Sequence, residues 1–373
     1  MGLVGDTYTL FLREMLIFKK SLGTNFARAL LFPIIFILFL GSAGSSPKNV
    51  PISVVNYDNG LSALNFINQI QAGSSLKVTS ATTEQQALNL LSKGTVAAVV
   101  VIPTGFSSGT ANEVYMYLDG SQPQAVSVVT GTINSVASKF QADVVTPNAA
   151  EKGSQGVSVI SNYAYGAASN YESYVVGGIL IMVAAFGSVF GSGFTVLSDR
   201  QLGNLKAFLT TPINTSAIFL SKILIGTVQS AFSAYIALGI GLLFGATIAA
   251  GALGFLELLW IVFLTGLGFG ALSVALASRM KQLQTYALIA QSTTLPLSFL
   301  GGAFVPVSLL PATLQATAVV NPVYYAINAV RDIMIKGYLP FNALVINSGA
   351  LLIFSLVMIA IAAILFKSTS DQI

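Results

Sequence analysis

Long apolar runs without a single charge alternate with short charged segments along this chain, and one polar stretch interrupts them. Crossing the hydrocarbon core of a bilayer takes about 20 consecutive apolar residues in helical form. Ala29–Pro47 is such a run, with its apolar core at Leu30–Leu40. Ser173–Ser198 is a second, of 26 residues. Ile223–Leu256 covers 34 residues, but its far end, Gly245–Gly254, is small and Gly-rich, so it reads as one span leading into a short loop. Leu258–Ser278 is a fourth. Gln282–Val330 is broken by Pro306, Pro311 and Pro322, which predicts a span near Leu283–Val305 and then a surface segment. Gly337–Phe366 holds the last span, at about Leu344–Phe366. The pattern predicts a polytopic α-helical membrane protein with six transmembrane helices.

The polar stretch, Ser45–Glu172, has a different rhythm. Val50–Asn56 is β-branched and ends in Tyr57-Asp58-Asn59-Gly60, which reads as a strand and a turn. Leu61–Ile70 carries its apolar residues on one helical face. Leu76–Ser80 is a short strand; Thr83 with Gln86 is a capping box opening a helix that Gly94 closes. Thr95–Ile102 is a buried strand stopped by Pro103, Glu113–Leu118 another, and Pro123–Phe140 a long helix. The order βαβαββα predicts a small α/β domain between the first and second spans, with residues 141–172 as a connector. Its acids (Asp58, Glu84, Glu113, Asp119, Asp143, Glu151) are scattered, which reads as solvated surface and turn chemistry.

Composition agrees with the spans. Hydrophobic residues make up 54% and charged residues 8%, against roughly 25% charged in soluble chains. The chain has no Cys and no His, so disulfides, thiolate nucleophiles and the commonest general base are absent, and no metal site is expected. A net charge of +4 is too small to imply nucleic acid. Basic residues favour the cytoplasmic side of short loops. With the N-terminus inside, the inner segments 1–28, 198–222, 278–282 and 367–373 hold 10 of the 17 basic residues, so both termini are expected in the cytoplasm and the α/β domain outside the cell. A signal peptide is set aside, because about 28 residues precede the first apolar run. The expected layout is an amphipathic helix at 1–28, a first span at 29–44, the extracellular domain at 45–172, five spans within 173–366 with an outer re-entrant or surface segment at 306–342, and a tail at 367–373.

The loop after the second span carries the most specific signal. Leu202, Leu205, Phe208 and Leu209 make one face of a short amphipathic helix, with Asp199 and Arg200 at its start, Lys206 within it, and Pro212 stopping it. The run Asp199–Lys222 resembles the cytoplasmic coupling segment of type-2 ABC transporter permeases, the exporter class. Asp199, Arg200, Gly203, Leu205, Thr211, Pro212 and Lys222 carry the resemblance, with Lys206 and Leu209 in the helix between. It departs in Asp199 for the usual Glu, Asn204 for Thr, and Ser221 for the Gly before Lys222. Asn321-Pro322 with Tyr325 and Arg331 resembles the family's Asn-Pro-Leu-x-Tyr…Arg stretch, and the α/β domain is similar to the large extracellular insert of one branch.

The resemblance implies the membrane-spanning half of an ATP-driven exporter in the cell membrane, working as two permease chains with two ATPases. Those ATPases would bind ATP and Mg2+, because this chain has no Gly-Lys-Ser/Thr and hence no P-loop. The coupling segment would dock on the ATPase and transmit its closure. No span interior carries Asp, Glu, Lys or Arg, which argues against a proton relay. Gln229, Gln291, Thr293 and Thr294 are candidate path residues; the plainer account is hydrogen bonding between helices. An uncharged path suits an amphipathic or hydrophobic substrate. Gly187/Gly191, Gly241/Gly245 and Gly266/Gly270 predict close helix packing, and Gly266-x-Gly268-x-x-Ala271 lies inside a span, so it is not a dinucleotide fingerprint. Tyr8–Phe26 reads as an amphipathic helix on the inner leaflet, and Arg331-Asp332 as neighbouring charges that partly offset each other. The competing function is a membrane-anchored receptor or assembly factor whose outer domain binds a partner; an enzyme has almost no support.

Overall fold

The computed structural model describes residues 2–23, 26, 33–35, 48–73, 75–120, 122–144, 157–165, 171–337 and 340–370. The expected first span falls outside the described residues, apart from residues 33–35. The chain divides into a helical unit and an α/β unit.

In the helical unit, the charge-free runs become helices: α5 (Tyr171–Gln201), α7 (Thr215–Leu243), α8 (Gly251–Ser278), α9 (Leu283–Leu300) and α12 (Phe341–Ser370), where α1 is Leu3–Lys20 and α2 to α4 lie in the α/β unit. Among the described residues, four of these (α5, α7, α8 and α12) are long and apolar enough to cross a membrane. The expected fifth span, α9, is shorter at 18 residues and carries Gln, Thr and Ser in its middle. Segment 306–342 contains α10 (Ala312–Ala318), α11 (Pro322–Arg331) and a π-turn at Asp332–Lys336. It is only partly a surface segment, because Ala326, Ile327 and Val330 of α11 are fully buried.

Small residues set the helix spacing. A Cβ on Gly226 would fall 1.8 Å from Ser192 Oγ, one on Gly266 2.8 Å from Ser230 Cβ, and one on Gly270 2.8 Å from Ser188 Oγ. Close backbone approach is how helices gain dispersion energy in a solvent as apolar as themselves. Gly245 differs from the prediction: at φ +97° it ends α7. Glycine takes that left-handed conformation without the steric cost a Cβ brings.

The α/β unit is built on a five-stranded sheet in the order β2-β1-β3-β4-β5. The strands are β1 (Val50–Asn56), β2 (Leu76–Ala81), β3 (Ala98–Ile102), β4 (Glu113–Asp119) and β5 (Ser158–Tyr165). β1 lies parallel to β2 and β3, β3 antiparallel to β4, and β4 parallel to β5. Strand β5 corrects the reading of 141–172 as a connector, since Ser158 pairs with Glu113. α2 (Leu61–Ala72) and α4 (Pro123–Val144) pack with one face of the sheet through Phe66, Ile70, Val129 and Ile133. α3 (Glu84–Ser92) packs with the other through Ala87 and Leu91. The Thr83 hydroxyl accepts the Gln86 N–H at 3.3 Å, forming the cap that opens α3. Asp58 and Asp119 are buried rather than solvated. Asp58 accepts N–H bonds from Gly60 at 2.7 Å and Ser107 at 2.8 Å, which tie the turn after β1 to the loop after β3. These bonds, from Ser107 first, hold its carboxyl below the usual range.

Candidate functional site

Asp199 and Arg200 end α5 instead of opening the short helix. The Leu202 N–H still reaches the Ser198 carbonyl at 2.9 Å. Gly203 then turns left-handed at φ +76°, and α6 (Asn204–Leu209) starts on a new axis. A left-handed glycine is the ordinary way to end one helix and redirect the chain. Thr211 Oγ1 donates to the Phe208 carbonyl at 2.6 Å, Pro212 follows, and the Asn214 side chain caps α7 by accepting from the Ser216 N–H at 2.9 Å.

The inward side of this segment is ionic. Lys222 Nζ of α7 donates to Glu14 Oε1 of α1 at 2.7 Å and to Asp199 Oδ2 of α5. Arg13 Nη1 donates to Glu14 Oε1 at 2.6 Å, and its Nη2 to Asp199 Oδ1 at 3.2 Å. Asn204 Nδ2 donates to Asp199 Oδ1 at 3.0 Å, and the Arg13 guanidinium lies 4.9 Å from the Phe208 ring centre. Two cations and two carboxylates therefore balance, with Lys222, Glu14 and Asp199 almost wholly enclosed. Such a cluster adds little net stability when complete, because desolvation offsets the attraction, but removing one member costs about 3–5 kcal/mol. Arg200 points elsewhere: it donates to the Ser278 and Met280 carbonyls at the end of α8.

The sequence motif does not point to the α1 partners. Its buried stripe is Asp6, Leu10, Glu14 and Phe18, while Val4, Tyr8, Leu12, Leu16 and Ile17 are exposed. The helix thus turns its acids inward and its apolar side outward. Four-residue spacing of Asp6, Leu10, Glu14 and Phe18 was the available signal, together with Lys222, a cation within an apolar helix that required a carboxylate. The outward side of the segment is open: Lys206, Thr211 and Pro212 are exposed. Leu205 is buried, whereas Leu202, expected on the same face, is 74% exposed because it precedes the Gly203 turn.

The candidate path residues occupy different settings. Gln229 of α7 packs against Gly191 of α5. Gln291 is exposed on α9, and Thr293 Oγ1 donates to the Ile289 carbonyl at 2.8 Å. Thr294 is buried with no hydrogen-bond partner for its hydroxyl.

In the second motif, Asn321 caps α11 by accepting the Val323 N–H at 3.0 Å and donates to the Leu297 carbonyl at 2.6 Å. Pro322 takes the first helical position, where its missing N–H costs nothing. Tyr325 donates to the Val319 carbonyl at 2.7 Å. Arg331 donates to the Gly302 and Ala303 carbonyls at 2.7 and 3.3 Å. Asp332 pairs with Lys336 at 2.9 Å.

The sequence profile described as ABC-2 family transporter protein matches residues 28–364. The chain is 23% identical over 319 residues to the "Probable multidrug ABC transporter permease YbhR" of Escherichia coli K12, covering 82% of this chain and 84% of that protein. It is 26% identical over 195 residues to the inner membrane transport permease YadH of the same organism, covering 50% of this chain and 70% of YadH. A solved domain of a candidate ABC type-2 transporter from Thermotoga maritima MSB8 matches at 20% identity and a TM-score of 0.24, over 30% of this chain and 83% of that one. With its long apolar helices, this chain belongs to the ABC-2 transporter family, as an integral membrane permease.

Proposed function

We propose that this permease is the membrane-spanning subunit of an ATP-driven exporter in the cell membrane, with segment 198–222 receiving the motion of a separate ATPase. One observation carries the reading. The segment runs out of α5 and into α7, and its inward side is bound to α1 through the Arg13–Glu14–Asp199–Lys222 cluster and to the end of α8 through Arg200, while its outward side is exposed. A push on α6 therefore reaches α1, α5, α7 and α8 together.

ATP and Mg2+ belong to the ATPase, and a second permease chain completes the pathway. The substrate is amphipathic or hydrophobic, in keeping with the word multidrug in the name of YbhR and with the uncharged residues proposed for the path, Gln229, Gln291, Thr293 and Thr294. Both termini are cytoplasmic and the α/β unit lies outside; reporters fused after residue 373 and within 60–140 test this, and an external C-terminus contradicts it.

The test of coupling uses the permease reconstituted with its copurified ATPase. Leu202→Asp changes only an exposed side chain, so folding is retained. Substrate-stimulated ATP hydrolysis should fall to the basal rate, and unchanged stimulation overturns the assignment.

A further inference from the structure

The two faces of the α/β sheet are covered unequally. α2 and α4, of 12 and 22 residues, pack with one face. The nine-residue α3 packs with the other, and a helix that short reaches only about 13 Å. A cavity of about 290 Å3 remains on this second face, lined by Tyr57, Glu84, Pro103, Tyr115 and Tyr117 among others. It lies where the parallel strands β1 and β3 end, the edge of an open α/β sheet at which ligands are commonly bound.

Tyr115 and Tyr117 stand on the same face of β4, opposite Val101 and Val99. Tyr115 donates its hydroxyl to Glu113 at 2.8 Å. The Tyr57 oxygen accepts the Glu84 N–H at 3.3 Å. A hydrogen bond to Glu84 raises the Tyr117 phenol, and one to Glu113 raises that of Tyr115, so both phenols stay neutral. The ion pairs among the described residues all involve other acids.

We infer that this tyrosine-lined cavity binds a small organic cation through a substituted ammonium group. Aromatic faces attract such cations through the ring quadrupole, and Glu84 in the lining supplies the opposite charge, with Glu113 behind the Tyr115 hydroxyl. A cavity near the lower end of the ligand-site range, roughly 300 Å3, admits a headgroup-sized molecule. The Glu84 carboxylate disfavours a phosphate next to the ammonium, which points to a free substituted ammonium over a phospholipid headgroup. The inference stands apart from the transport assignment.

The test is calorimetric titration of the full chain in detergent with choline, with its neutral tert-butyl analogue, and with glycerophosphocholine. Choline should bind saturably at one site, and the neutral analogue about tenfold or more weakly. Tighter binding of choline than of glycerophosphocholine assigns the site to a free substituted ammonium; the reverse assigns it to a lipid headgroup, and both support ammonium recognition. Glu84→Gln, on the half-buried first residue of α3, and Tyr115→Leu should each weaken choline about tenfold with an unchanged melting temperature. Absence of saturable binding to the unmodified chain, equal binding of the neutral analogue, or unchanged binding by both variants overturns the inference.

Discussion

Helix α5 is held at its two ends by different chemistry. Near Gly177 and Gly178, Arg331 grips the Gly302 and Ala303 carbonyls, and a Cβ on Gly178 would lie 1.9 Å from the Ala303 oxygen. About 22 residues away, or roughly 33 Å along the helix, Asp199 enters a cluster of side chains from α1 and α7. A guanidinium on backbone carbonyls against a glycine leaves little freedom. Glu14 and Asp199, by contrast, share Arg13 and Lys222, so partners can be exchanged while each charge stays paired. On this account the first end is a fixed support and the second is the end that moves.

The comparison breaks first at Lys222. Lys222→Met leaves two buried carboxylates sharing one guanidinium, and about 3–5 kcal/mol of stability should be lost, read by thermal unfolding in detergent. Pairing it with Glu14→Met keeps Arg13–Asp199 intact and should recover most of that loss. Next comes the other end. Arg331→Met strips two buried carbonyls of a donor, a loss of about 1–3 kcal/mol with no second-site rescue of the same kind. If the two ends lose stability alike and neither is rescued, the distinction between them fails.

A smaller effect is expected at the turn between them and the outward surface. Gly203→Val forces a branched residue to φ +76°, where open space removes any clash, so only the backbone conformation costs, about 1–2 kcal/mol. Gly203→Asn should cost less, because Asn tolerates that region better. The smallest effect belongs to α9. Thr294→Val removes a buried hydroxyl that has no partner, so stability should stay within about 0.5 kcal/mol or rise. A large loss there would mean that the Thr294 hydroxyl is paired.

Much of this was legible in the sequence. Charge-free runs locate α5, α7, α8 and α12, because about 20 consecutive apolar residues are what a helix needs to cross the hydrocarbon core. The Thr83 cap was legible because it needs only local spacing. Strand β5 was not, because Ser158–Tyr165 lies among small polar residues and is recognisable as a strand only once β4 pairs with it. The motif around Asp199 is recognisable, but its partners are not: Glu14 lies 208 positions before Lys222, and nothing local joins the two. The two-helix break at Gly203 is not legible in the sequence, because amphipathic periodicity counts Leu202 with Leu205 and does not register a change of axis.

The central claim is that the ATPase docks on the open side of segment 198–222. A photo-crosslinking residue placed at Leu202 or Lys206, and as a control at Leu243, which is 88% exposed at the opposite end of α7, tests it in native membranes. The account predicts that a P-loop ATPase, identified by mass spectrometry, is trapped from Leu202 and Lys206 and not from Leu243. Trapping from Leu243 alone, or no ATPase from either position in the segment, would contradict it.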